Sequence, residues 1–400
     1  MDTNNTDNKL TTPLSSGRGA GGEADLSYIA PPVDREMIKK ELKQKHFLRK
    51  SNRGNKEIYV TTAHLSPNIM REIGRLRELS FAVDGGGTGK EVDIDEYDTL
   101  PDPYCCKQLF VWSPEDEEIV GGYRFLHGST MMQRPDGSIV TPTAEHYQFS
   151  QEFLDNYLPY TVELGRAFVQ PAYQPSHNLG KGLYSLDNLW DGLGVLILEI
   201  PETRYFLGKI TIYDSMDTQA RDMMLYFYQK YFPDRDGLMW PYEPTKIEMD
   251  YNELVSLFTG RNYKEDYQIL LHAVRARGCT VPPLVNAYMN LSSTMRYFGT
   301  CPDHGLPGTQ GVGILITLAD INDDKRLRHI ESYIHKNPKF DRRRLFRIDM
   351  RRLPWWRRMS DEERQAMEEL RELSERQHEQ RARLRSQIDE MRRSRRRKRK

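Results

Sequence analysis

Residues 161–170, TVELGRAFVQ, constrain this chain more than any other stretch. The run reads as a buried strand, with Leu164, Ala167, Phe168 and Val169 packed around Glu163 and Arg166. A charge inside a sheet costs several kcal/mol unless it is paired or put to use. Side chains three apart on a regular strand point to opposite faces. Glu163 and Arg166 can share a face only where a bulge interrupts the pleat, and Gly165 between them permits one. Two separate ion pairs at a sheet rim would also explain the pattern, and these residues alone leave both readings open.

The flanking sequence sets this strand among others. Strands are expected at 57–62 (EIYVTT), 108–113 (QLFVWS), 118–126 (EIVGGYRFL), 203–213 (TRYFLGKITIY), 282–291 (PPLVNAYMNL) and 312–321 (VGILITLADI). Ile69, Ile73, Leu76 and Leu79 share one face of a helix over 67–81. Further helices are expected at 184–200, at 217–232 with Asp217 or Thr218 as N-cap, and at 262–278, ended by Gly278. This mixed order argues for one α/β domain over residues 28–337, built around a mixed, mostly antiparallel sheet flanked by helices. Residues 1–27, rich in Asn, Thr, Ser and Gly, read as a disordered arm.

The formal net charge of zero hides an asymmetry. Residues 341–400 carry 22 Lys+Arg against 12 Asp+Glu, a surplus of +10, so residues 1–340 sum to −10. Residues 338–400 therefore read as a basic extension, a segment of arginines around Trp355 and Trp356 followed by a charged helix capped by Ser360. Such a tail expects an anionic partner. The four cysteines form no CxxC and no Cys/His ligand set, so no zinc site or disulfide framework is expected and a reducing compartment is. The N-terminus carries no apolar signal-peptide core, and no apolar run reaches the ~18 residues that spanning a membrane requires.

Three further features bear on chemistry. Asp93, Asp95 and Asp98 follow a glycine-rich loop without the spacing or closing glutamate of an EF-hand, so no metal is expected there. Arg77 and Arg124 are cationic partners within reach. In HNLGKG, 177–182, Gly180, Lys181 and Gly182 precede a helix and can present backbone N–H groups to a phosphate, although most such glycine pairs are ordinary turns. Tyr104, Phe110, Trp112, Phe168 and Trp190 are either walls for an apolar ligand or plain core, with core the commoner outcome. No Ser-His or Cys-His nucleophile motif is visible.

These pieces resemble the GNAT acyltransferases, in which a bulged strand precedes a phosphate-cradling loop of pattern Q/R-x-x-G-x-G/A. Here His177 stands where Gln or Arg is usual. The set Arg77, Phe81, Asp93, Asp95, Asp98, Arg124, Glu163 and Arg166 is similar to the charged constellation of acyl-homoserine-lactone synthases, and ornithine-lipid N-acyltransferases share the ELGR-type strand. A longer resemblance runs through MREIGRLREL, GGGTGKEVDIDEYD, EIVGGYRF, YLPYTVELGRAFV, KGLYSLDNLWDGLG and PPLVNAYMNLS. On these motifs the chain resembles the bacterial N-acyltransferases that make glycine lipids, proteins often labelled hemolysins, over roughly residues 32–337.

The resemblance implies transfer of a fatty acyl group, 3-hydroxylated or not, from acyl-ACP or acyl-CoA to glycine or a similar small amino acid, the first step of aminolipid synthesis. No permanently bound cofactor is implied. Glu163 and Arg166 would be catalytic, Glu163 as general base and Arg166 holding a carboxylate or anchoring the acidic cluster. Arg77, Phe81, Asp93, Asp95, Asp98 and Arg124 would bind substrate, and Gly180, Lys181 and Gly182 the pantetheine phosphate. Acyl carrier protein is the expected partner, with the tail on an anionic membrane surface in preference to nucleic acid. The expected location is cytoplasmic and peripheral, at the inner face of the cytoplasmic membrane. The rival readings are a signal synthase of the homoserine-lactone type and a non-catalytic, hemolysin-like membrane binder.

Overall fold

The computed structural model describes residues 25–334, apart from His177. The arm at 1–24 and everything from 335 on, including the basic tail, lie outside the described residues. Within 25–334 an eight-stranded sheet organises the chain. Its strands are β1 (Phe47–Lys50), β2 (Glu57–Thr61), β3 (Lys107–Ser113), β4 (Glu118–His127), β5 (Thr161–Val169), β6 (Tyr205–Tyr213), β7 (Arg296–Pro302) and β8 (Thr309–Thr317). The spatial order is β1-β2-β3-β4-β5-β6-β8-β7. Every neighbouring pair is antiparallel except β5 and β6, which run parallel. A parallel pair needs a crossover. Here the connection from β5 to β6 runs through the helix Ser185–Glu199.

Helices cover both faces. On one face α1 (Pro67–Ala82) buries Ile69, Met70, Ile73 and Leu76 with Phe110, Trp112, Ile119 and Phe168. Pro67 starts α1, and the Glu41 carboxylate accepts from the Asn68 and Ile69 N–H groups, placing an acceptor and a negative charge at the helix N-terminus. The other face carries the larger core. There α2 (Ser185–Glu199), α3 (Thr218–Tyr231), α4 (Tyr263–Ala276) and α5 (Pro283–Met289) pack with Leu109, Val111, Val162, Leu164, Phe206 and Ile210. Asp217 caps α3 by accepting from the Ala220 N–H.

The sequence reading needs correction at α5 and β7, and it expected no strand at β1. PPLVNAYMNL forms α5 and not a strand: Pro283 occupies the first turn, and Val285, Tyr288 and Met289 are buried at helical spacing. A short apolar run after two prolines does not by itself separate a strand from a helix. The strand that does form, β7, contains Gly299 at φ 99° and a register shift, which erased its periodicity.

β5 is the pivot of the fold. It pairs with β6 only from Thr161↔Tyr205 to Leu164↔Gly208. Beyond Leu164 the two strands part, and among the described residues no strand pairs with that edge of β5. On its other edge β5 pairs with β4, where Gly122 faces Phe168 and Arg124 faces Gly165. Tyr123 alone is thus opposed by Arg166 and Ala167, which is a β-bulge. Arg166 sits at φ 48°, in the left-handed region. The bulge resets the alternation: Val162 and Leu164 belong to the large core, whereas Phe168, of the same parity, packs under α1. Gly121 permits the close approach, since a Cβ there would stand 2.4 Å from the Phe168 carbonyl oxygen.

Candidate active site

The cleft begins where β5 and β6 separate. A cavity of about 180 Å³ lies between them, with Glu163, Gly165 and Arg166 on one wall and Lys209 and Thr211 on the other. Phe81, Leu164, Ile210, Pro283 and Leu306 supply apolar surface. A second, more polar cavity of about 590 Å³ shares Arg124, Pro142, Arg166, Lys209 and Asp303 with the first and adds Asp93, Asp95 and His146.

Glu163 is 5% exposed. Its Oε1 accepts from the Thr143 N–H at 3.0 Å and from the Thr143 hydroxyl at 2.6 Å, while its Oε2 accepts from the Thr141 hydroxyl. A carboxylate offers about four acceptor positions. Three are engaged among the described residues, which leaves one on Oε2 for a group in the cavity. Burial pushes the Glu163 carboxyl above its ordinary range, against the pull of the Thr143 hydrogen bond and of Arg124. The two threonines come from the insertion between β4 and β5, whose sequence carried no chemical motif to mark them.

The charged constellation gathers beside Glu163. The bulge puts the Arg166 side chain on the α1 face, where Nε lies 2.8 Å from Asp93 Oδ2 and Nη2 donates to the Gly305 carbonyl at 2.9 Å. Arg124 Nη1 pairs with Asp95 at 2.5 Å and reaches Asp98 at 3.5 Å. Arg77, fully buried, pairs with Asp98 at 3.0 Å and donates to Gln108, which in turn donates to Asp98. Three arginines thus hold three aspartates. Burial raises Asp93 despite Arg166. At Asp95 burial pulls upward, but Arg124 and then Arg166 prevail and hold the carboxyl at about 2. Arg77 and Asp98 line neither cavity, so they brace the cluster, whereas Phe81, Asp93, Asp95, Arg124, Glu163 and Arg166 face open space.

The glycine loop stands apart from these residues. Leu179–Gly182 form one helical turn in which the Lys181 N–H is capped by Asn178 Oδ1 at 3.0 Å and the Gly182 N–H donates to the Asn178 carbonyl. The Lys181 ammonium lies 2.5 Å from Asp116, in the turn joining β3 and β4. That turn is at the end of the sheet where β5 has left β6, so the loop sits toward the wide end of the cleft without lining either cavity. Gly182 is needed for packing, because a Cβ there would stand 2.5 Å from the Pro175 nitrogen.

Four of the five aromatic candidates fall on the core side. Phe110, Trp112 and Phe168 pack under α1, Trp190 joins the large core, and Tyr104 is exposed. The sequence reading also missed a polar group at the narrow end of the cleft. Lys209 on β6 pairs with Asp303 at 2.9 Å, and Asp303 faces His146 Nε2 at 3.3 Å. The burial penalty on Asp303 is overruled by His146 and Lys209, which hold its carboxyl far below the usual range. Lys209 lies in an alternating strand, TRYFLGKITIY, and a charged residue at a position of mixed burial was its only signal.

Comparison with known proteins agrees with this architecture. The acetyltransferase (GNAT) domain family matches residues 76–180, a span that runs from α1 through the bulged strand to the glycine loop. The chain is 51% identical over 314 residues to the glycine N(alpha)-acyltransferase of Phocaeicola vulgatus, a match covering 78% of this chain and 96% of that one. It is 48% identical over 313 residues to the glycine N(alpha)-acyltransferase of Bacteroides thetaiotaomicron, covering 78% of this chain and 92% of that one. No solved structure matches significantly.

Proposed function

The chain belongs to the bacterial GNAT-fold glycine acyltransferases and is an acyltransferase; from that premise we propose that it moves a fatty acyl group from a phosphopantetheine thioester to the amine of glycine. The donor is acyl-ACP or acyl-CoA, and the product is an N-acylglycine, the lyso-form of an aminolipid. One observation carries the mechanism: Glu163, a buried carboxylate with one open acceptor position, lines the cleft where β5 and β6 part.

Amine attack on a thioester requires an unprotonated nitrogen, a polarised carbonyl and a departing thiolate. Glu163 takes the proton from the amine, directly or through one water, and its burial raises its affinity for that proton. The nitrogen bonds to the thioester carbon, the C–S bond breaks, and the proton lost by nitrogen ends on the thiol. Backbone N–H groups on the free edge of β5 past Leu164 are donors for the developing oxyanion. The pantetheine arm threads the gap between β5 and β6, with its phosphate toward Gly180–Gly182 and the acyl chain against Phe81, Leu164, Ile210 and Pro283. Arg124, paired with Asp95 and Asp98, holds the acidic cluster in place beside the amine. Among the described residues no helix is long and apolar enough to cross a membrane. In this reading the basic tail places the enzyme on an anionic membrane surface, where its product partitions.

Lipid mass spectrometry of a bacterium expressing the chain, beside the Glu163→Gln variant, tests the proposal. The expected result is a new N-acylglycine present with the native chain and absent with the variant. An acyl lactone, or no new acyl amine from either strain, would overturn it.

A further inference from the structure

We propose that Lys209 and Arg166 together form the subsite for the acceptor's carboxylate, and that Lys209 sets the preference for an amino acid over an amine without a carboxylate. This rests on the reading of the acceptor as an amino acid. Strand register places Lys209 relative to Glu163. Glu163 faces Leu207 and Leu164 faces Gly208, the last pair before the strands part. Lys209 is two residues past Leu207, so its side chain leaves the sheet on the face that carries Glu163, at the narrow end of the cleft. The Lys209 charge acts on the Glu163 carboxylate, so the two groups share one electrostatic environment. An amine delivered to Glu163 carries its carboxylate only one carbon away, which puts that carboxylate beside β6.

The second part is the pairing of cations. Lys209 and Arg166 line both cavities, one from each side of the split. Their side chains are 16% and 10% exposed. Burial pulls the Lys209 ammonium down against the opposing pull of Asp303, and Arg166 adds to the downward pull by repulsion. Two like charges across a shared space are costly unless an anion joins them. Neither is used up by its present partner. Lys209 has three donors, and among the described residues only Asp303 takes one. Arg166 engages Asp93 through Nε and Gly305 through Nη2, which leaves Nη1. Arg124 pairs with Asp95 and Asp98 through Nη1 and stands on β4, one strand removed from the split. A carboxylate bridging Lys209 Nζ and Arg166 Nη1 would satisfy both and leave the amine next to Glu163.

The test compares an amino acid with its own amide. Acylation of glycine and of glycinamide is measured with the full-length native enzyme, Lys209→Met, Lys209→Arg and the charge-balanced Lys209→Met/Asp303→Asn. Native enzyme is expected to prefer glycine by at least about tenfold in kcat/KM, the usual weight of a charge-assisted hydrogen bond. In Lys209→Met that preference should collapse toward unity through a higher KM for glycine, with the donor KM moving less than about twofold, and Lys209→Arg should restore part of it. The double variant serves if Lys209→Met fails to fold, since it leaves no unpaired buried carboxylate. An unchanged glycine-to-glycinamide ratio in a folded variant would overturn the inference and leave the proposed function standing. Acylation of neither compound by the native enzyme would overturn both.

Discussion

At the residue scale the account turns on Glu163. Its carboxyl binds a proton more tightly in the folded protein than the ordinary value of 4.5, because burial outweighs the threonine donors. Two consequences follow with definite signs. Between 4.5 and the raised folded value the native state holds more proton than the unfolded chain, so ionising Glu163 lowers stability as pH rises through that window. Glu163→Gln carries no such charge. The difference in melting temperature, variant minus native, should therefore be constant below pH 4.5 and grow in the variant's favour above it. Calorimetry across pH 4–8 measures this, and a difference that shrinks with pH would contradict the burial argument. Activity runs the other way. The kcat/KM of the native enzyme should rise with pH on a limb whose midpoint lies above 4.5, and Glu163→Gln should lose that limb together with about two decades of turnover.

At the scale of elements the decisive feature is the split between β5 and β6 beside the bulge. Gly121 and the Phe168 carbonyl fit only because no Cβ intervenes. Gly121→Ala would force β4 and β5 apart where the bulge aims Arg166 at Asp93. Overpacking of this kind costs about 1–3 kcal/mol. The variant should lose about that much stability in urea unfolding and lose activity in greater proportion, whereas full stability and activity would mean that the bulge tolerates displacement. Much of this was legible in the sequence. ELGRAFV carried two charges that only a bulge could bring to one face, and Arg77, Arg124 and the aspartate triad stood in register with known charged clusters. What was not legible depends on contacts distant in sequence. Thr141 and Thr143 sit in a polar insertion with no pattern. Lys209 and Asp303 meet across 94 residues, and the helix α5 hid in an apolar run too short to tell a helix from a strand.

At the scale of the whole molecule, charge separates a body at −10 from a tail at +10. In the proposed reaction acyl transfer to glycine needs only the cleft, whereas a product with a fatty chain would partition into a bilayer. Each Lys or Arg near an anionic surface contributes about 1 kcal/mol at physiological salt, so a surplus of this size suffices for peripheral binding. Deletion of 341–400 should therefore abolish co-sedimentation with vesicles of anionic phospholipid and leave turnover on a water-soluble acyl donor within about twofold. Equal sedimentation of both proteins would remove the tail from membrane contact.

The central claim is that Glu163 and the split strands transfer an acyl group from a thioester to glycine. Purified full-length enzyme with an acyl-ACP donor, followed by thiol release and by mass spectrometry of the product, tests it most directly. The account predicts thiol release that requires glycine, matches N-acylglycine one for one, and falls by about two decades in Glu163→Gln. Thiol release that ignores glycine, or that is equal in the two proteins, would contradict it.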